Sequence, residues 1–304
     1  MNIYLFHPEI YARNYNCSMF TTDEWSSFGV KRQSIGYINV FVGIIVLLLY
    51  VPCLKTMLWT DLWKSACYKL MFFNAVIDVI GVVNTCFVTS YLAIEGAVFC
   101  SRPTFIYLWG TFAMGNRVYG WFVVFIGYFV VALFFTKSAV YSSIGNMWPL
   151  DPYLGITNVT VDKSVYKSPI LDVNNFFTFA ILTFSYVALV LSIWYKQRTS
   201  QTSAASRVQR NVSIQAFFIC LFVYMCALFY TVFEHFPDLL PPIVLLISFF
   251  GWQWSFCGVV VVYMIMNKPL RRGVIAFYGR LFCKKAEATV MSHNTLGHRV
   301  GSTP

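Results

Sequence analysis

Of the 304 residues, 58% are hydrophobic and 11% are charged, whereas soluble domains carry roughly a quarter charged residues. With a mean hydropathy of +0.64 and 30 Phe, 19 Tyr and 9 Trp, too little polar surface is left to cover a soluble globule. The composition therefore predicts an integral membrane protein. Apolar runs of helix-spanning length favour an all-α polytopic bundle over an alternating-pattern barrel, and the net charge of +10 reads as topology rather than nucleic-acid binding.

In chain order, residues Met1 to Tyr15 contain Glu9 and Arg13 and no apolar core of signal-peptide length, so no cleaved signal is expected. Clear spans are predicted at Ile35–Leu54, Tyr68–Ile94, Phe176–Tyr195, Val212–Phe233 and Pro241–Met266. Val118–Thr136 is long enough for a sixth, and Thr104–Gly115 is too short to cross alone. This divides the chain into a head (1–34), a transmembrane bundle (35–266) and a tail (267–304).

Charge orients the spans. Segments 55–69 and 196–210 and the tail together carry a net +12, whereas the head and the 137–174 connection are each neutral. Basic loops stay in the cytosol, which predicts the head outside and the tail inside. Two glycosylation sequons, Asn16-Cys17-Ser18 and Asn158-Val159-Thr160, fall in the neutral outer segments. A third, Asn211-Val212-Ser213, abuts a basic loop and reads as a chance match.

Head outside and tail inside require an odd number of crossings, so two must fit within residues 104–136. Those 33 residues fall short of the ~40 or more that two helices and a turn need. Missing sequence, comprising the inner half of the third helix, the following cytosolic loop and the start of the fourth helix, accounts for the shortage better than a re-entrant hairpin. Arg117 lies in the middle of this stretch and belongs near the cytosolic surface or in a polar cavity.

Further residues carry a resemblance. Tyr15-Asn16-Cys17-Ser18 with Trp25, Leu49-Tyr50-Val51-Pro52-Cys53-Leu54, Cys67-Tyr68-Lys69-Leu70-Met71, Phe99-Cys100-Ser101-Arg102-Pro103 with Tyr107 and Gly110, and Trp148-Pro149-Leu150-Asp151-Pro152-Tyr153 follow one another in order. This arrangement resembles the nematode serpentine chemoreceptors of class T. The resemblance implies a seven-transmembrane receptor of the plasma membrane that detects a small molecule and couples to a heterotrimeric G protein. In that family an Asn-Arg pair stands near the inner end of helix three. Here Asn116-Arg117 comes only 16 residues after Cys100, about 24 Å of helix, and runs straight into the fourth-span pattern, a departure that weighs against signalling by this form.

Several residues have competing readings. Cys17 and Cys100 are the cysteines in clearly outer segments and form the candidate disulfide; two free thiols are the alternative. Cys86, Cys220, Cys226 and Cys257 read as small packing residues within spans. Asp78, an acid deep in a span, sits one turn after Asn74, with Asn84 further along. Asn74 and Asp78 suit a polar hub, in rhodopsin-like receptors a sodium site, or a structural hydrogen-bond cluster. Asn267 to Arg272 lead into apolar residues at helical spacing, which predicts an interfacial helix, with Cys283 beside Lys284 and Lys285 as a lipidation candidate. Arg207, Arg210, Arg271 and Arg272 are predicted at the cytosolic face, toward a G protein or anionic lipid. No nucleophile–base pair, phosphate loop, carboxylate pair or metal-ligand spacing stands out, so no catalysis, cofactor or metal is expected. The alternatives to a signalling receptor are a shortened, non-signalling receptor product and a membrane transporter or channel.

Overall fold

The computed structural model describes residues 2–64, 66–116, 137–156, 159, 161–199 and 242–297, with six isolated positions between 217 and 232. The predicted crossing at Val118–Thr136 and nearly all of Val212–Phe233 lie outside the described residues. What is described is helical, with one isolated antiparallel bridge between Ser142 and Met147. Three short helices form the head: α1 (Asn2–Phe6), α2 (Pro8–Asn14) and α3 (Thr22–Ser27). Pro8 opens α2, where its fixed φ and missing N–H cost nothing. Thr21 caps α3 by accepting from the Glu24 amide, while Glu24 accepts from the Thr21 amide at 2.7 Å, a reciprocal box that satisfies two free donors.

The first span is α4 (Gln33–Trp59). The second runs through α5 (Ala66–Val82), a π-helical turn (Val83–Val88) and α6 (Thr89–Glu95). The Thr85 hydroxyl donates to Gly81 O and the Thr89 hydroxyl to Asn84 O, each at 2.9 Å, which occupies carbonyls around the widened turn. Gly96, at φ 72°, ends α6 in the left-handed conformation that favours glycine. Then come α7 (Pro103–Asn116), α8 (Pro169–Thr199), α9 (Pro242–Met266) and α10 (Lys268–Gly297).

Among the described residues, three helical stretches are long and apolar enough to cross a membrane: Gln33–Trp59, Tyr68–Glu95 and Leu246–Met266. These match the first, second and last predicted spans, and α8 contains the predicted Phe176–Tyr195. The outward face of α4 carries exposed Phe41, Ile44, Leu48 and Val51, as lipid contact requires. The chain is thus an all-α membrane bundle. At α7 the described helix has 14 residues, about 21 Å.

Two buried clusters hold the described bundle together. The one at the head end joins Tyr15, Trp25, Phe99, Tyr107, Tyr141 and Trp148. The one toward the tail end joins Val46, Tyr50, Cys53, Met57, Cys257, Tyr263, Leu270 and Val274. The C-terminal helix α10 is longer than the short segment expected from sequence, and its Leu270 and Val274 are buried against the bundle.

Candidate functional site

The head end is roofed by the connection after residue 136. Residues 140–149 double back on themselves, with Val140 N donating to Pro149 O at 2.8 Å and Ser142 and Met147 exchanging backbone bonds of 3.0 and 3.2 Å. Asn146 takes the turn at φ 51°, a conformation that Asn tolerates, and accepts from the Tyr141 hydroxyl at 3.0 Å. The fold drives Trp148 inward, 4% exposed, where its indole N–H donates to the Thr89 hydroxyl of α6 at 3.0 Å.

The head locks this roof in place. Arg32 donates from Nε to Ser143 O at 3.0 Å and from Nη2 to Ile144 O at 2.8 Å. Ser143 in turn bonds Ala97 O and accepts from Val30 N. Cys17 and Cys100 are joined in a disulfide, Cα to Cα 5.4 Å, and the Trp25 indole donates to Cys17 O at 2.9 Å. Tyr153 and Tyr166 reach from the loop to Asn16 O and Asn14 O. Tyr4, Tyr11, Tyr15 and Tyr107 stack edge and face with centroids 4.9–5.6 Å apart. Burial pushes the Tyr11 and Tyr166 hydroxyls up from 10.0 to about 12, with neighbouring tyrosines adding to it at Tyr11 and Asp151 at Tyr166.

Beneath the roof lies a polar and aromatic interior between the second span, α7 and α9. Asn84 in the π turn accepts from the Trp109 indole. Gln253 of α9 donates to Cys86 Sγ at 3.0 Å, and Cys86 Sγ lies 3.7 Å from Cys257 Sγ. Both sulfurs are buried in the packing between spans. The polar groups of this interior thus bond one another across three helices.

Further toward the tail end is the cluster around Asp78, which is 5% exposed. Asn74 Nδ2 donates to Asp78 Oδ2 at 2.9 Å, so the two residues singled out in the sequence are in contact. Two partners were not foreseen. The Tyr50 hydroxyl of α4 lies 3.1 Å from Asp78 Oδ2 and 2.8 Å from the Phe256 carbonyl of α9. The cluster therefore links three helices, while Asn84 belongs to the interior above it. Among the described residues, no group of three His, Cys, Asp or Glu could hold a metal ion.

At the tail end, Asn267 Oδ1 accepts from the Tyr68 hydroxyl at 3.0 Å and from Leu270 N at 3.2 Å, capping α10. Arg271, exposed, donates to the last carbonyls of α9, Met264 O and Ile265 O, at 3.0 and 2.9 Å, and Arg272 is also exposed. Asn16 is exposed, accepting from Ser18 N at 2.9 Å. Arg207, Arg210 and Asn158 lie outside the described residues, as does the side chain of Cys283.

Comparison with known proteins matches the chain to the family of serpentine-type seven-transmembrane G-protein-coupled chemoreceptors Srt, in two stretches, residues 1–118 and 114–288. Serpentine receptor class T-55 of Caenorhabditis elegans is 21% identical to it over 328 aligned positions, which take in 94% of this chain and 86% of that receptor. No solved structure matches. With both family matches in chain order and covering nearly its whole length, the chain belongs to the Srt family of serpentine chemoreceptors.

Proposed function

We propose that the chain detects a small molecule in the head-side half of the bundle, between the π turn, α7 and α9. The observation that carries this reading is Trp148, inserted from the roof and hydrogen-bonded to Thr89, directly joining the connection between spans to a span wall. A ligand that favours one arrangement of this junction shifts the helices between two states. The Asp78–Tyr50–Phe256 cluster passes that shift among three spans, toward a heterotrimeric G protein or anionic lipid at the tail end, where Arg271 and Arg272 are exposed. The charge distribution supports a cytosolic tail, and membership of a chemoreceptor family supports the plasma membrane. The Cys17–Cys100 bond supports a head facing the oxidising exterior. Calcium or cyclic-nucleotide responses to an odorant panel test the reading. Saturable activation whose potency shifts with Thr89→Val is expected; silence of surface-delivered protein across the panel overturns it.

A second reading has its own observation. The two family matches meet and overlap at residues 114–118, and the 328 aligned positions exceed the 304 residues of the chain. The relative thus carries residues that this chain lacks, which supports a receptor product shortened at the junction of its third and fourth helices. Such a product is retained in the endoplasmic reticulum or associates with intact receptors without signalling. Sequencing the transcript across residues 110–120 tests it: an additional in-frame exon supports shortening, and an abundant uninterrupted transcript counts against it.

A further inference from the structure

Pro52 lies inside the first span, buried, seven residues before α4 ends. Proline has no N–H, so the carbonyl four residues earlier, Leu48 O, loses its helical donor. Leu48 is 55% exposed on the lipid-facing side, and a bare carbonyl in hydrocarbon is costly because no water reaches it. The missing donor is supplied by another helix: the Tyr278 hydroxyl of α10 donates to Leu48 O.

The docking of α10 is shaped for this contact. Leu48, Pro52 and Thr56 fall at four-residue spacing along one stripe of α4. A Cβ on Gly273 would lie 2.2 Å from the Thr56 methyl and 2.6 Å from its hydroxyl, so the close approach of α10 needs glycine there. Lys55 Nζ sits 4.9 Å from the Phe277 ring and 4.8 Å from the Trp59 ring. Leu270 and Val274 are buried in the same cluster as Tyr50, Cys53 and Met57.

We propose that Tyr278 is a positioning residue that makes the proline break in span one and the docking of α10 a single equilibrium. With α10 docked, the freed carbonyl is satisfied. When α10 lifts, Leu48 O is left bare in the membrane, so undocking is opposed from within the first span. Any event at the tail end that moves α10 then reaches α4 at Pro52, and within the same turn Tyr50 and its bond to Asp78. This inference does not depend on which ligand the head end takes.

A double-mutant cycle in the full chain, in lipid nanodiscs, tests it by hydrogen–deuterium exchange of the 270–282 segment. Tyr278→Phe removes the donor, and Pro52→Ala restores the helical N–H to Leu48. Tyr278→Phe is expected to raise exchange of the segment roughly fivefold, the factor of one net hydrogen bond, and to leave it unchanged in the Pro52→Ala background. An equal rise in both backgrounds, or no rise with Pro52 present, overturns the proposal. If Tyr278→Phe alone fails to fold, folding of the double variant supports the coupling and its failure overturns it.

Discussion

Tyr50 shows how much one hydroxyl can decide. It is fully buried and stands between the Asp78 carboxyl group on the second span and a backbone carbonyl on α9. Tyr50→Phe keeps the ring packing and removes the hydroxyl that reaches both. A loss of about 1 kcal/mol is expected, in the range of interhelical hydrogen bonds in membranes, read as a lower unfolding midpoint of the purified protein. Asp78 was legible in the sequence because an acid within an apolar run is rare and costly. Tyr50 was not, because a tyrosine in such a run looks the same whether it is buried or, like Tyr37, 63% exposed to lipid. Asn84 illustrates a different obstacle. Six residues beyond Asp78, it falls about a third of a turn away from the row of Asn74 and Asp78, and it stands in the π turn beginning at Val83. Asn84 bonds Trp109 of the next helix.

At the scale of elements, the spans were readable because their length and apolarity are set by the bilayer: the predicted first and second spans fall within observed helices, and the last coincides with α9 from Pro242 onward. The head was readable only as a polar segment. Its helices of five to seven residues are too short to hold their shape alone, and they exist here by packing on α7 and the loop. That packing is a contact among neutral tyrosines, which gives it a pH limit. Because burial raises the hydroxyls of Tyr11 and Tyr166 to about 12, their contribution is complete below pH 10 and is lost as the pH rises through 12. Alkaline titration is expected to ionise these hydroxyls late, with α1 and α2 leaving the roof over the same interval. Tyrosinate absorbance and exchange of the 2–16 segment, followed together, check this.

At the scale of the molecule, the family is legible from the order of loosely matching motifs, and the comparisons bear it out. The ligand is not, because an aromatic interior such as that of Trp109, Trp148 and Trp252 serves packing and recognition with the same side chains. The shortage between residues 104 and 136 was visible as simple arithmetic of chain length against membrane thickness, and the two family matches meet inside it.

The bond between Cys17 and Cys100 spans 83 residues and encloses the whole of the first two spans in one covalent ring. A protease site engineered into the Asp61–Lys64 turn would open that ring without releasing either piece. Cleaved protein is expected to migrate as one species without reductant and as two with it, while its head-end roof stays assembled. The head and the first span are thus independent of chain continuity at the Asp61–Lys64 turn: supplied as a separate fragment and paired by oxidation, they still present one receptor.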